Sequence, residues 1–291
     1  TFSIDPDTCK ENWRAHEDFA TDPLQVNHGL AWANGRVFRG TSDGRVVAYE
    51  SRTGKRLWAT TIADAATGES VQAAPIAWNG LIFIGNAGGD NKGVKGRMYA
   101  LDANDGHIVW EFYLVPKTAN DFARGAEAAQ PEGDAASSWK NAAGFPISGG
   151  TTTSSYTLDP ASGLLYVPVG NPAPAFADKD RGGDNLYTSS IVVLDARSGA
   201  YQRTVPIVKR DFHGWGASTA PLLFTSKGNH RLMAIAAKDG LLHVIDSASG
   251  RLRYNRSMTR TFNIDTPMTP AGTRFCPGTQ GGANWNGPAF D

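Results

Sequence analysis

One phrase recurs along this chain, and its recurrence restricts the fold more than any other feature of the sequence. Each copy has an apolar residue followed by an acid, then turn-forming residues, and a closing residue eight positions after the acid. Trp closes the first three copies, Arg the fourth and Tyr the fifth. The five copies, each counted from its acid, are residues 5–13, 50–58, 102–110, 195–203 and 246–254.

The chemistry of each copy predicts a β-hairpin. The side-chain oxygen of the acid caps a tight turn, and a Gly four residues later supplies a positive φ. The bulky closing residue then falls on the buried face of the next strand. The first copy departs from this pattern, because Cys9 stands where the other copies carry Gly.

Alternating apolar strands lie between the hairpins, at Gly35–Gly40, Leu81–Gly85, Leu164–Val169 and Arg231–Ala236. Successive acids are 45, 52, 93 and 51 residues apart, and about 50 residues form one four-stranded propeller blade. The long third interval predicts a blade with a loop insertion at 116–149. The predicted fold class is therefore all-β, a β-propeller of four-stranded blades.

A β-sandwich with coincidental turns is the alternative fold, and three acid-to-Trp copies at identical spacing argue against it. A propeller must close on itself to hide the edges of its strands. The sequence also stops at Phe290-Asp291 just as a new strand phrase begins. We therefore expect residues 1–291 to be a single, partial propeller domain, with the rest of the ring supplied by another segment or another chain.

The composition argues against several classes of function. Lys plus Arg and Asp plus Glu both number 28, and no basic cluster indicates nucleic-acid binding. No apolar run approaches the roughly 18–20 residues that span a bilayer. Motifs for covalent haem, phosphate loops, zinc and a serine nucleophile elbow do not occur in the sequence. Cys9 and Cys276 could pair in an oxidising compartment, but two cysteines alone do not decide the compartment.

The repeated phrase resembles the tryptophan-docking motif of the eight-bladed alcohol dehydrogenases that depend on pyrroloquinoline quinone (PQQ). In that family, Trp side chains lock neighbouring blades together around the ring. Other phrases also resemble the family and follow its order along essentially the whole chain. They are Gly40–Arg45, Ile84–Asp90, Gly170–Pro174, Gly183–Ile191, Lys238–Gly240 and Gly281–Asn286. On this resemblance, about five of eight blades are represented.

The resemblance implies two metal ligands, Asp90 and Asn171. Asp90 aligns with a family Glu that binds a calcium or lanthanide ion beside the quinone, and is one methylene shorter. Asn171 matches the second family ligand, in a loop stiffened by Pro172 and Pro174. Hard cations of this kind take oxygen ligands. The alternative is that Asp90 is a solvated turn carboxylate and that Asn171 merely opens an Asn-Pro turn.

The resemblance also implies a cofactor-binding set. Lys238 stands where a family cation hydrogen-bonds the reactive quinone carbonyl, so that its charge would stabilise the developing oxyanion. The alternative interpretation is that Lys238 is an ordinary lysine in a hairpin turn before Asp-Gly. Gly88, Gly89 and Trp285 lie in family phrases beside the expected cofactor.

Several positions depart from the family pattern. The family stacks its quinone between a Trp and a disulfide of adjacent cysteines. Here Thr153 occupies the Trp position, and Asp22-Pro23 occupies the cysteine pair. His28 replaces a family Arg and is counted with the cofactor-binding set, as is Thr153. Neither face of the expected stack is therefore present.

The catalytic base of the family is also replaced. Gly214 stands where the family Asp would remove the alcohol proton, and Gly216 where lanthanide forms place an extra carboxylate. Asp211 and His213 are the nearby candidates for a substitute base, since His titrates near neutral pH. In a strand, His213 would face away from Gly214, so a bulge would be needed.

Two functions follow from these readings. The first is a periplasmic PQQ-dependent dehydrogenase that oxidises an alcohol or a related bulky substrate, with electrons passed to a cytochrome c. The second is a non-catalytic propeller that serves as a scaffold or interaction module, which the missing stacking groups and base would favour. On the same resemblance, Cys276 matches a family cysteine whose partner lies beyond residue 291.

Overall fold

The computed structural model describes residues 1–19, 26–131 and 135–290, and regular structure in them is almost entirely β. Two short 3-10 helices, Ala65–Thr67 and Asp178–Asp180, interrupt the strands. The strands are β1 Phe2–Ile4, β2 Glu11–Arg14, β3 Ala31–Ala33, β4 Arg36–Gly40, β5 Arg45–Glu50, β6 Arg56–Thr61, β7 Ile76–Trp78, β8 Leu81–Gly85, β9 Arg97–Asp102, β10 Ile108–Tyr113, β11 Lys140–Asn141, β12 Ser148–Gly149, β13 Thr157–Asp159, β14 Leu164–Pro168, β15 Pro172–Ala173, β16 Arg181–Gly182, β17 Ser190–Asp195, β18 Tyr201–Pro206, β19 Leu222–Thr225, β20 Arg231–Ala236, β21 Leu241–Asp246 and β22 Leu252–Ser257.

Four antiparallel sheets of four strands make up most of the molecule. Their strand orders are β3-β4-β5-β6, β7-β8-β9-β10, β13-β14-β17-β18 and β19-β20-β21-β22. The hairpin β1-β2 precedes them, and two small sheets pair β11 with β16 and β12 with β15. We number the four large sheets blades 1 to 4 in chain order. They confirm the predicted fold class, a partial β-propeller.

The predicted hairpin turns are present in atomic detail. Asp5 Oδ1 accepts a hydrogen bond from the Thr8 amide at 2.8 Å, and Asp246 Oδ1 accepts one from the Ser249 amide at 2.9 Å. The turn glycines of the later copies have φ between 70° and 79°. Cys9 takes the same left-handed conformation at φ 56°, which explains why Gly is otherwise preferred there.

The Trp residues that close the first three copies join each hairpin to the next. Each indole N–H donates to the backbone carbonyl that follows the acid of the next copy. A Cβ on the turn Gly of that next copy would lie 2.4 to 2.7 Å from the indole ring. Gly is therefore also needed there because any side chain would clash with the indole. The three hydrogen bonds are Trp13 to Ser51 at 2.9 Å, Trp58 to Ala103 at 3.2 Å and Trp110 to Ala196 at 3.0 Å.

Arg203 makes the equivalent contact between blades 3 and 4. Its guanidinium donates to the carbonyl of Ser247, the residue that follows the acid of the fifth copy. A Cβ on Gly250 would lie 3.9 Å from Arg203 Cδ and 3.2 Å from Val205, so this junction is packed less tightly than the three Trp junctions. The hydrogen bond is therefore kept where the aromatic ring is lost.

Apolar side chains between successive blades form the core. The largest cluster lies between blades 2 and 3 and includes Phe83, Phe112, Leu165 and Val192, all fully buried. The stretch 116–149 was predicted as a loop insertion, and its described part holds β11 and β12. Within the described ranges, neither of the two helices could span a bilayer.

The two cysteines are not joined to each other. Cys9 is exposed and Cys276 is half-buried, and both carry free thiols in this structure. The open possibility of a Cys9–Cys276 disulfide is therefore not realised here.

Candidate functional site

A cavity of about 490 Å³ opens where loops from three successive blades converge. The loops follow the second strand of each blade: Asp90 comes after β8, Asn171 after β14 and Lys238 after β20. Equivalent strand ends lie on the same side of the propeller, which is why residues so far apart in sequence meet. Eight of the predicted site residues line this cavity, namely His28, Gly88, Gly89, Asp90, Thr153, Asn171, Lys238 and Trp285.

The two predicted metal ligands are direct neighbours. Asn171 Nδ2 donates to Asp90 Oδ1 at 3.0 Å. The backbone carbonyl of Asn171 accepts from the Gly150 amide at 3.0 Å, which anchors the loop. An Asn side chain is an amide that offers a carbonyl oxygen as well as an NH₂ group. Rotation of the Asn171 amide would therefore bring its oxygen beside Asp90 and give two hard oxygen donors at one edge of the cavity.

Lys238 brings a positive charge into the same cavity. Its ammonium group is half-buried and donates to the carbonyl of Gly214 at 3.2 Å. Burial lowers the pKa of Lys238, while the carboxylates of Asp211 and Asp90 act in the opposite direction. A partly desolvated ammonium bonded to a neutral carbonyl favours the approach of an anionic ligand.

Thr151 also lines the cavity and was not among the predicted site residues. Its hydroxyl accepts from the Gly89 amide at 3.1 Å, and its carbonyl accepts from the Gly170 amide at 2.9 Å. Thr151 therefore ties the Asp90 loop to the Asn171 loop. Thr151 directly follows Gly149-Gly150, which was interpreted only as a loop. That position was the one sequence feature that could have indicated its place in the cavity.

His28 and Trp285 form an aromatic pair at the rim of the cavity. Their ring centroids are 5.6 Å apart, and burial lowers the pKa of His28. Thr153 lines the cavity at the position where the family carries Trp. Asp22-Pro23, which align with the family's cysteine pair, lie outside the described residues.

Gly216 packs directly against the Asn171 loop. A Cβ on Gly216 would lie 2.2 Å from the backbone nitrogen of Asn171 and 2.5 Å from the carbonyl carbon of Gly170. Both neighbours are backbone atoms that cannot rotate away. On the family resemblance, lanthanide-dependent enzymes carry an extra carboxylate at this position. Here the position has no room for a side chain unless the Asn171 loop moves.

Replacing Gly216 with Ala is expected to destabilise the protein by about 1–3 kcal/mol, because overpacking against backbone forces the two loops apart. Urea unfolding measures the change. The matched control is Gly278→Ala, since a Cβ there meets nothing within 4 Å. Equal stabilities for the two variants would contradict the tight packing described at Gly216.

Asp211 and His213 line a different cavity, of about 730 Å³, between blades 3 and 4. Each carboxylate oxygen of Asp211 already accepts a hydrogen bond. One bond comes from the hydroxyl of Ser189 at 2.9 Å and the other from the amide of His213 at 3.0 Å. Asp211 thus acts as a structural anchor in this conformation, and its role as a base stays a prediction.

His213 lies in an aromatic cluster. Its ring centroid is 4.1 Å from Phe275, 4.3 Å from Trp215 and 4.7 Å from Phe212. Burial lowers its pKa, and Nε2 has no hydrogen-bond partner among the described residues. The base role predicted for His213 is neither supported nor contradicted by these contacts.

Gly214 accounts for the separation between His213 and the first cavity. The segment 211–217 is not a strand, and Gly214 has φ 72°, a left-handed conformation that turns the chain. A Cβ on Gly214 would come no closer than 3.5 Å to Phe176. There is therefore space beside Gly214, although the sequence provides no carboxylate there.

Comparison with known proteins identifies the family. The family model for the "PQQ: Glucose/ethanol/alcohol dehydrogenase, beta-propeller domain" matches residues 1–255. The quinohemoprotein alcohol dehydrogenase ADH IIB of Pseudomonas putida is 31% identical, over 99% of this chain and 45% of the relative. The lanthanide-dependent methanol dehydrogenase of Methylacidiphilum fumariolicum is 30% identical, over 91% of this chain and 47% of the relative.

A solved structure agrees with these sequence relationships. The structure of a europium-containing methanol dehydrogenase superposes with a TM-score of 0.85 at 25% identity, and covers 100% of this chain and 56% of that one. The chain thus spans about half the length of the relatives it matches. From the family match, the relatives and the shared fold, we conclude that the chain belongs to the PQQ-dependent glucose/ethanol/alcohol dehydrogenase family, in its β-propeller domain.

Proposed function

We propose that this protein is a PQQ-dependent dehydrogenase that oxidises an alcohol or a related bulky substrate. The observation that carries the proposal is the meeting of Asp90, Asn171 and Lys238 in one cavity. Two oxygen donors and a cation are the groups that a metal-supported anionic quinone requires. A propeller kept only as a scaffold would have no need of this combination.

The residues of the cavity fit the cofactor and its metal. PQQ is a flat tricarboxylate, and Lys238 supplies a partly desolvated positive charge whose hydrogen-bond acceptor is a neutral carbonyl. The cavity volume of about 490 Å³ lies in the range of small-molecule sites. Asp90 and Asn171 provide the hard oxygen ligands that calcium prefers.

Calcium suits this site better than a lanthanide. Asp90 is the one carboxylate that lines the cavity among the described residues, and Gly216 has no space for a second. A trivalent ion would therefore keep more uncompensated charge than a divalent ion. We propose Ca²⁺ as the partner of PQQ, and a lanthanide is the alternative that a metal titration distinguishes.

In the proposed reaction, bound PQQ would supply the quinone that accepts the electrons of the alcohol. The side chains of Asp90 and Asn171 would hold the metal at one edge of the cavity. Lys238 would hold positive charge where negative charge develops. Asp211 and His213 remain the proposed bases. Segment 211–214 would have to rearrange, because both side chains now face the second cavity.

The finer parts of the proposal rest on the family. Thr153 in place of Trp leaves room for a bulky substrate. We propose that electrons pass to a cytochrome c, that the protein works in the periplasm, and that the rest of the ring completes the propeller. We also interpret the indole contacts of Trp13, Trp58 and Trp110 as the tryptophan-docking motif of the family.

The proposal is tested by titrating PQQ into the purified protein with calcium, and separately with lanthanum, while following the absorbance. Saturable binding that requires one of the metals supports the dehydrogenase and justifies a screen of alcohols. No binding of PQQ by a folded protein of full ring length, with either metal, rejects the enzyme and leaves the scaffold.

The charge on Lys238 should make PQQ binding depend on pH. Because burial lowers the pKa of Lys238, the ammonium loses its proton below the ordinary range of a lysine, and PQQ affinity falls as pH rises through that pKa. Lys238→Arg should remove this dependence, since Arg stays protonated. Lys238→Met should weaken binding about tenfold at neutral pH, the effect of about 1.4 kcal/mol, whereas the exposed control Lys55→Met should not. An unchanged affinity in Lys238→Met would contradict the role.

A further inference from the structure

Arg181 is one of the largest fully buried side chains of the molecule, with 2% of its surface exposed. It lies on the short strand β16, which follows the 3-10 helix Asp178–Asp180 and pairs with β11. A buried guanidinium is costly to desolvate, so it persists only where its donors are well used. Its position in the fold therefore needs an explanation from its contacts.

The guanidinium of Arg181 binds two separate loops. Nε donates to the carbonyl of Pro174 at 2.7 Å, and Nη2 donates to the carbonyls of Ala175, at 2.9 Å, and Asp211. Nη1 donates to Asn185 Oδ1 at 2.8 Å, and the amide of Asn185 donates back to the Arg181 carbonyl at 3.0 Å. The last pair of bonds holds the side chain in this orientation.

The two loops are those that carry the candidate site. Pro174 lies three residues after Asn171, the candidate metal ligand. Asp211 lies three residues before Gly214, whose carbonyl holds the ammonium of Lys238. One planar side chain thus bridges the loop of the ligand and the loop that orients the cation.

Ser189 joins the same two loops at a second point. Its amide donates to the carbonyl of Gly170 at 3.0 Å, and its hydroxyl donates to Asp211 Oδ2 at 2.9 Å. Gly216 closes the contact by packing against Gly170 and Asn171. The two loops are therefore fixed to each other by side chains as well as by backbone packing.

We propose that Arg181 is a positioning residue, which sets the distance between Asn171 and the Gly214–Lys238 contact by holding both loops on one rigid guanidinium. The planar fork has donors in fixed directions, so it can bind three carbonyls at set separations. A lysine presents a single point charge on a flexible stem and cannot do this. The consequence for cofactor binding rests on the proposed function, whereas the bridge between the loops does not.

The bridge is tested without any cofactor by hydrogen–deuterium exchange on the protein alone. Arg181→Met should increase exchange about tenfold or more in residues 168–176 and 209–217 together, and Arg181→Lys should not restore protection. The matched control is Arg203→Met, which removes another guanidinium-to-carbonyl bond and should loosen the contact at Ser247 instead. Unchanged exchange in either loop of Arg181→Met would overturn the proposal.

A second measurement separates positioning from stability. At a temperature where all variants are folded, Arg181→Met should weaken calcium-dependent PQQ binding about tenfold. In an Asn171→Ala background the same change should add little, because residues acting through one contact are not additive. Additive losses, or an unchanged affinity, would contradict the positioning role. If the wild-type protein of full ring length binds no PQQ, the proposed function fails, and the exchange experiment still decides whether Arg181 joins the loops.

Discussion

Replacing Asp90 with Asn should lower the calcium affinity of the protein by roughly 100-fold or more. Loss of an outer partner of a metal ligand commonly costs about 10–100-fold in affinity, and loss of a direct ligand is expected to cost at least as much. Asp90 is the carboxylate of the cavity among the described residues, and it lies 3.0 Å from the amide of Asn171. Its removal would leave only neutral oxygen donors at that edge.

Calcium titration in the presence of PQQ, followed by absorbance or calorimetry, measures this effect. Asn171→Ala should lower affinity in the same direction. Asp105→Asn is the matched control, since Asp105 is an exposed acid that forms a surface group with Asp102 and His107. If Asp105→Asn weakens calcium binding as much as Asp90→Asn does, the metal is not bound in the cavity.

Replacing Trp110 with Ala should destabilise the protein by about 3–5 kcal/mol, the usual loss for a large aromatic core residue. The indole is 2% exposed, bonds to the carbonyl of Ala196 and lies 6.0 Å from the ring of Phe83. Its removal would open a cavity between blades 2 and 3 and leave a carbonyl without its donor. Each effect acts on the largest hydrophobic cluster of the molecule.

Equilibrium unfolding in urea measures the change, and Trp32→Ala is the matched control. Trp32 is 65% exposed, so its loss should change stability by no more than about 0.5 kcal/mol. Equal losses for the two variants would mean that Trp110 does not hold the blades together. An intermediate loss for Trp58→Ala is expected, because Trp58 is only partly buried.

The blades were predictable because their hairpins depend on local chemistry. An acid that caps a turn and a Gly at positive φ act within five residues, so the pattern is readable in sequence, and even Cys9 adopts the required conformation. The contact of Arg203 was not predictable. A Trp replaced by Arg reads as a lost contact, and only the structure reveals that the guanidinium reaches the equivalent carbonyl of Ser247.

The location of the candidate site residues was predictable in part. Asp90, Asn171 and Lys238 occupy equivalent loops of successive blades, so matching phrases in the family's order was enough to bring them together. The environment of His213 depends on Phe275, which is distant in sequence, and on the φ of Gly214. The burial of Arg181 was not predictable either, because an arginine between Asp180 and Gly182 is typical of a surface turn.

The departures from the family have a common physical consequence. Thr153 offers no aromatic face, and the pair His28–Trp285 provides aromatic surface at the rim instead. A quinone held here would depend more on the charges of Lys238 and the metal than on stacking. Binding should therefore weaken more with added salt than in a stacked site, since salt screens charge interactions at a partly open cavity.

Asp90 and Asn171 are proposed to hold a metal beside a bound quinone. X-ray diffraction from crystals grown with PQQ and calcium would locate both groups, the ion through its anomalous signal at long wavelength. We expect one ion about 2.3–2.6 Å from oxygens of Asp90 and Asn171, the usual calcium distance, with the quinone against it and Lys238 beside the quinone. A cavity without ion or quinone at saturating concentrations, or calcium found only at the exposed turn of Asp102, Asp105 and His107, would contradict this proposal.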